Sequence, residues 1–227
     1  MRTTLPSATP VEVVRPDGGD PPARGLVIAP DIGGLRPLFD DMVARLADEN
    51  TWAVAAVEPF PGKDLPTLED RMAAVADLDD VSVLADLAAA ADLLDVEPVG
   101  VIGFCMGGMW TLKAASTGRF DRAVPFYGMI RNPEAWRTDR NRDAIELLGE
   151  TPGSAERILT IIGTADPYTP AEEVAELEAA GATVVRYEGA EHGFVHDADR
   201  PAHKAPDAED AWRRAIDWLA GAPPKAP

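Results

Sequence analysis

Gly103-Phe104-Cys105-Met106-Gly107-Gly108 joins an apolar run, residues 99–104, to a helix-forming run, residues 109–116. Glycine two positions before and two after a nucleophilic side chain, at a strand-to-helix junction, is the pattern of a nucleophile elbow. The sharp turn lifts the reactive atom clear of the sheet. Serine usually holds the central position; here it is Cys105, the only cysteine of the chain. A thiol nucleophile needs a base to take its proton and an acid to orient that base. The bases on offer are His192, His196 and His203. His192 sits in Gly189-Ala-Glu-His-Gly-Phe194, directly after the last strand-like run, and Asp166 sits in Gly163-Thr-Ala-Asp-Pro167, directly after the run before it. Taken singly, each has an ordinary reading: a core cysteine, a turn aspartate, a structural loop histidine. Together they give nucleophile, acid and histidine in a fixed order, each at the end of a separate strand, which is a specific signal.

The elements that must position these groups can be read from periodicity. Short apolar runs at 11–14, 25–29, 52–57, 99–104, 123–127, 158–162 and 183–187 read as strands. Helical spacing covers 37–48, 68–75, 81–94, 109–116, 172–180 and 207–219. In the third of these, Val81, Leu84, Leu87, Ala88, Ala91 and Leu94 form the expected apolar stripe; in the last, Ala208, Trp212, Ile216 and Leu219 do. Alternation of strand and helix implies a mostly parallel central sheet with helices on both faces, an α/β fold in one domain over residues 1–227. Residues 1–10 and 221–227 are expected to fray. Residues 129–155 break the pattern and are expected to be a lid or binding excursion, or else a surface detour with one short helix.

The three motifs around Cys105, Asp166 and His192 resemble those of the dienelactone hydrolase family, which has the α/β-hydrolase fold, and the resemblance runs from about Gly25 to Leu219. It implies a Cys-His-Asp triad that opens an ester or lactone through an acyl-thioenzyme, with no cofactor. It also implies an oxyanion hole made by the backbone N–H groups of Met106 and Ile32, each donor contributing roughly 3–4 kcal/mol. Family members resemble one another in a glutamate at the strand end where this chain has Asp31. The shorter carboxylate either reaches the thiol, directly or through water, and helps activate it, or only shapes the loop. Arginines hold the substrate carboxylate in the family; Arg36, Arg71 and Arg131 are the candidates by location. Trp136 and Tyr168, in loops, are the expected substrate contacts among the aromatic residues Phe104, Tyr127, Trp136, Tyr168 and Phe194.

Composition narrows the partners. A formal net charge of -18 disfavours binding to nucleic acid, whose phosphates would be repelled. No run approaches the roughly 18 apolar residues of a membrane span, and no signal-like apolar core opens the chain, so a cytoplasmic protein is expected. The expected partner is a small ester or lactone, with the chain a monomer or homodimer. His192-x-x-x-His196 has zinc-ligand spacing on a helix, but Gly189 and Gly193 argue against a helix there. No metal is therefore expected, and His196 and His203 are expected in loops or at the surface. Two other readings remain open. One is a thioesterase or broad carboxylesterase using the same triad; the other is a non-catalytic thiol-sensing or binding protein of this fold.

Overall fold

The structure is a computed structural model that describes residues 1–16 and 21–223. The strands are β1 (Arg2–Thr4), β2 (Pro10–Val14), β3 (Gly25–Ala29), β4 (Ala53–Val57), β5 (Val99–Phe104), β6 (Arg122–Phe126), β7 (Leu159–Gly163) and β8 (Thr183–Tyr187). The helices are α1 (Pro37–Asn50), α2 (Leu68–Ala74), α3 (Asp80–Leu94), α4 (Met106–Ala115), α5 (Ala144–Glu150), α6 (Ala171–Ala179) and α7 (Ala205–Leu219). The strands form one sheet in the order β1-β2-β4-β3-β5-β6-β7-β8. From β4 to β8 neighbours run parallel, and β1 and β2 pair antiparallel at the edge. This is the mostly parallel sheet expected from the alternation, in the α/β-hydrolase form that the resemblance implies.

Every residue of β3, β4 and β5 is buried, as a sheet covered on both faces requires. The pleat divides the core in two. Leu26, Ile28, Val54, Ile102 and Phe104 pack with α1 and α7 on one face. Val27, Ala29, Val57 and Val101 pack with α3 and α4 on the other. Cys105 touches both clusters, because it stands at the rim where β5 ends.

Three expectations change. Residues 2–4 are ordered as β1, because the N-terminal ammonium donates to Glu12 Oε1 at 2.6 Å and to the Val13 carbonyl at 2.6 Å. Of the expected tail at 221–227, residues 224–227 lie outside the described residues. Val81 is 80% exposed, so the stripe of α3 is rotated: Leu87, Ala90, Ala91 and Leu94 face inward, together with Asp80. The last helix likewise buries Ala211, Ala215 and Trp218 beside Ala208 and Leu219, leaving Trp212 and Ile216 half-buried at its margin.

Asp80 is drawn inward by a buried lysine. The Lys113 side chain has no exposure, and its Nζ donates to Asp80 Oδ1 at 2.8 Å and Asn141 Oδ1 at 2.7 Å. Burial lowers its pKa to about 8 against the pull of Asp80. Asn141 in turn accepts from Asn132 Nδ2 at 2.9 Å, and the Asn132 N–H donates to Asp143 Oδ1 at 2.8 Å. The 129–155 excursion is therefore fastened to α4 through a buried polar network. Lys113→Met leaves Asp80 with the Arg142 N–H as its described side-chain partner. The expected loss is about 3–5 kcal/mol, because a buried carboxylate would lose its counter-charge. That corresponds to a fall of roughly 10 °C in the thermal midpoint, measured by calorimetry. No helix among the described residues is long and apolar enough to cross a membrane.

Candidate functional site

The chemistry-bearing side chains gather where strands β3 and β5 to β8 end, the rim at which parallel α/β sheets place their sites. Cys105 lies between β5 and α4 with φ 56 and ψ -119. A positive φ at a non-glycine residue is strained and persists only where its surroundings hold it. The elbow glycines explain how. A Cβ on Gly103 would come within 2.3 Å of the Gly107 carbonyl oxygen, and one on Gly107 within 2.0 Å of the Ala29 carbonyl oxygen. Only glycine lets α4 close onto β5 and β3 this tightly.

His192 is set by Asp166. Its Nδ1 lies 2.8 Å from Asp166 Oδ2, while Asp166 Oδ1 accepts the Tyr168 N–H at 2.8 Å. With Nδ1–H directed at a carboxylate, Nε2 is the nitrogen left to exchange a proton with a nucleophile. Cys105 is the second side chain that acts on the imidazole's charge. Burial works against the imidazolium, but the hydrogen bonds to Asp166 and Cys105 outweigh it and raise His192 to about 9. The ring is flanked edge-on by Tyr127 at 5.2 Å and Tyr168 at 4.9 Å between centroids. Tyr168 is 48% exposed, so one side of this ring pair meets solvent.

The loop after β3 uses most of its glycine-turn amides internally but not that of Ile32. Gly33 N–H donates to Asp31 Oδ1 at 2.8 Å, Gly34 N–H to the Asp31 carbonyl at 3.0 Å, and Leu35 N–H to Glu58 Oε2 at 2.9 Å. Among the described residues no hydrogen bond is made by the Ile32 N–H. Met106 opens α4, where first-turn N–H groups have no acceptor within the helix. Neither the Ile32 nor the Met106 amide is used by the fold, so both stay candidates for holding an oxyanion.

The other candidates are otherwise engaged. Asp31, expected as an activator of the thiol, is 5% exposed and accepts from Gly33 N–H, from Arg36 Nη1 at 2.6 Å and Nη2 at 2.9 Å, and from His196 Nε2 at 2.8 Å. Four donors fill the carboxylate's acceptor positions, so the geometry favours the loop-shaping alternative. Arg36, expected as a carboxylate binder, directs both terminal nitrogens at Asp31. Arg71 donates from Nη1 to the carbonyls of Ile32 at 3.3 Å and Gly33 at 3.1 Å, bracing the same loop. Arg131 pairs with Asp143 and Glu176. Trp136, expected to contact substrate, is 4% exposed and donates from Nε1 to the Met72 carbonyl, beneath α2.

His196 corrects the sequence reading most. It lies in a loop, one of the two expected places, but not at the surface: its side chain is fully buried between Asp31 and the Tyr127 hydroxyl, with its ring stacked 4.8 Å from Phe104. The signal available in the sequence was its spacing of four from His192, which reads equally as metal-ligand spacing. Residues 191–204 form no helix, so that spacing carries no ligand geometry here.

The sequence profile of the dienelactone hydrolase family matches residues 10–222. A "Putative carboxymethylenebutenolidase" of Escherichia coli (strain K12) is 30% identical over 238 residues, covering 96% of this chain and 85% of that protein. Carboxymethylenebutenolidase 2 of Cupriavidus pinatubonensis is 26% identical over 183 residues, 78% of this chain and 75% of that protein. The crystal structure of a "Putative Dienelactone Hydrolase" from Klebsiella pneumoniae superposes with a TM-score of 0.81 at 24% identity, covering 97% of this chain and 98% of that one.

Proposed function

The chain belongs to the dienelactone hydrolase family and is a hydrolase of the carboxylic-ester class, and from that premise we propose that its reaction runs through Cys105, His192 and Asp166. The observation that carries the reading is the 2.8 Å contact between His192 Nδ1 and Asp166 Oδ2, which leaves Nε2 as the nitrogen for the nucleophile's proton. Cys105 Sγ attacks the carbonyl carbon of an ester or lactone while its proton passes to His192 Nε2. The carbonyl oxygen becomes an oxyanion held by the N–H groups of Ile32 and Met106. Collapse breaks the C–O bond, and His192 returns the proton to the departing alkoxide. Water then attacks the thioester, giving a proton to His192. The second tetrahedral intermediate expels the thiolate, which is reprotonated from the imidazole. Asp166 keeps His192 in the competent tautomer and stabilises its cation.

The experiment is steady-state hydrolysis of a panel holding a five-membered enol lactone, simple alkyl and aryl esters, and an acyl thioester. Turnover is expected on the oxygen esters, with a lactone or ester giving the highest kcat/KM. If the thioester exceeds every oxygen ester by about tenfold or more, the substrate class proposed here is wrong.

A further inference from the structure

Two carboxylate–imidazole pairs meet at this rim, and the hydrolytic reading uses one. The second is Asp31–His196. His196 lies four residues beyond His192, and its ring packs on Phe104 at 4.8 Å and Phe39 at 6.1 Å. Its Nε2 meets Asp31 Oδ2 at 2.8 Å, and its Nδ1 meets the Tyr127 hydroxyl at 2.5 Å. The groups facing it are Asp31, Tyr127, Arg36 and Arg200.

The proton positions follow from charge. Burial pushes Asp31 up, but the hydrogen bonds from His196 and Arg36 win and hold it ionised, well below the usual carboxylate range. Burial outweighs Asp31 at His196 and lowers that imidazole, keeping it neutral. Burial likewise keeps the Tyr127 hydroxyl protonated. A neutral imidazole facing an ionised carboxylate must donate from Nε2 and accept at Nδ1. The chain therefore reads Tyr127 O–H to His196 Nδ1, then His196 Nε2–H to Asp31, whose carboxylate also anchors Gly33 N–H and Arg36.

The two ends of this chain touch the two halves of the site. Asp31 adjoins Ile32, the proposed oxyanion donor, and fixes the turn through Gly33. Tyr127 follows β6 at φ 40, an uncommon conformation for a bulky residue, and sets its ring edge against His192 at 5.2 Å. We propose that His196, acting through Asp31 and Tyr127, is a positioning residue that holds the oxyanion loop and the His192 imidazole in mutual register. The inference rests on the hydrolytic role of Cys105 and His192 and goes beyond it: His196 touches neither substrate nor nucleophile.

The test uses three variants. Tyr127→Phe removes only the hydroxyl. His196→Leu removes both hydrogen bonds at similar volume. His196→Gln keeps one donor and one acceptor and serves as the conservative rescue. With a neutral aryl ester, Tyr127→Phe and His196→Leu are each expected to lower kcat about tenfold with KM within about twofold, since misplacement costs transition-state rather than ground-state binding. The double variant is expected to be no slower than the slower single, because both act on one chain. His196→Gln is expected to recover most of the loss. A second readout needs no turnover: the pH dependence of Cys105 alkylation by iodoacetamide. Its alkaline inflection, governed by His192, is expected to move to lower pH in Tyr127→Phe and His196→Leu.

Rates within twofold of wild type in both single variants would overturn the proposal, as would losses that multiply in the double variant or that appear only in KM. An alkylation profile unchanged in folded variants would overturn it as well. Wild type that hydrolyses no ester, yet whose alkylation profile shifts as described, would instead sink the hydrolytic reading and leave the positioning role standing.

Discussion

Cys105→Ala is expected to lower ester hydrolysis by about 10⁴-fold or more, with the protein still folded. The size follows from the site. Alanine leaves the Ile32 and Met106 N–H groups and the His192–Asp166 pair in place, so binding and oxyanion stabilisation persist. What disappears is the covalent route, in which a poised thiol replaces a bulk water as first attacker. His192 has no equivalent nucleophile to deprotonate, and water would have to enter a position shaped by the elbow. The fold should tolerate the change, because Cys105 is half-buried at the rim and alanine fits the same backbone. The decisive measurement is intact-protein mass after rapid acid quench during turnover. Wild type is expected to carry the acyl group as a thioester, and Cys105→Ala none. Equal rates in the two proteins would show that the thiol is not the nucleophile. An acyl adduct that forms once and never turns over would favour thiol sensing over catalysis.

The strands and most helices were legible because burial leaves a pattern in one dimension. Gly25–Ala29 and Thr183–Tyr187 coincide with their expected runs, and Val99–Phe104 leads directly into the elbow. Cys105, Asp166 and His192, the proposed triad, were legible for a related reason: each follows a strand at short range, so order along the chain reports position on the rim. β1 was not, since Arg2-Thr3-Thr4 carries no apolar signature and is ordered by pairing with Pro10, Val11 and Glu12. The rotation of α3 escaped because the pull on Asp80 comes from Lys113, on another helix. His196 escaped for the strongest reason. Its partner Asp31 is 165 positions away, and nothing local distinguishes a histidine closing a buried polar chain from one in a surface loop. Arg36 shows the converse. Its location near the site was legible, but its use was not, because Asp31 takes both of its terminal nitrogens.

Asp166→Asn is expected to lower kcat by about 10⁴-fold and to move the alkaline limb of kcat/KM to lower pH. The amide introduced by that substitution can offer an N–H to His192 Nδ1, which puts the imidazole proton on Nε2, where the ring cannot accept one from Cys105. The pH dependence follows from the same contact. In the competent form one proton serves the Cys105 thiol and the His192 imidazole. A second proton, added at low pH, blocks thiolate formation and gives the acid limb. Loss of the last proton removes the acid that the leaving alkoxide needs and gives the alkaline limb. Against its burial, His192 is raised to about 9 by Asp166 and Cys105, so the wild-type alkaline limb is expected near pH 9. Without the Asp166 carboxylate the imidazolium loses its strongest support, and the limb must fall toward lower pH. An alkyl ester or lactone is the right substrate, because its alkoxide requires protonation, whereas a nitrophenolate would hide the limb. A wild-type profile that rises steadily through pH 9, or a limb that stays in place in Asp166→Asn, would separate His192 from proton delivery and undo its assigned role.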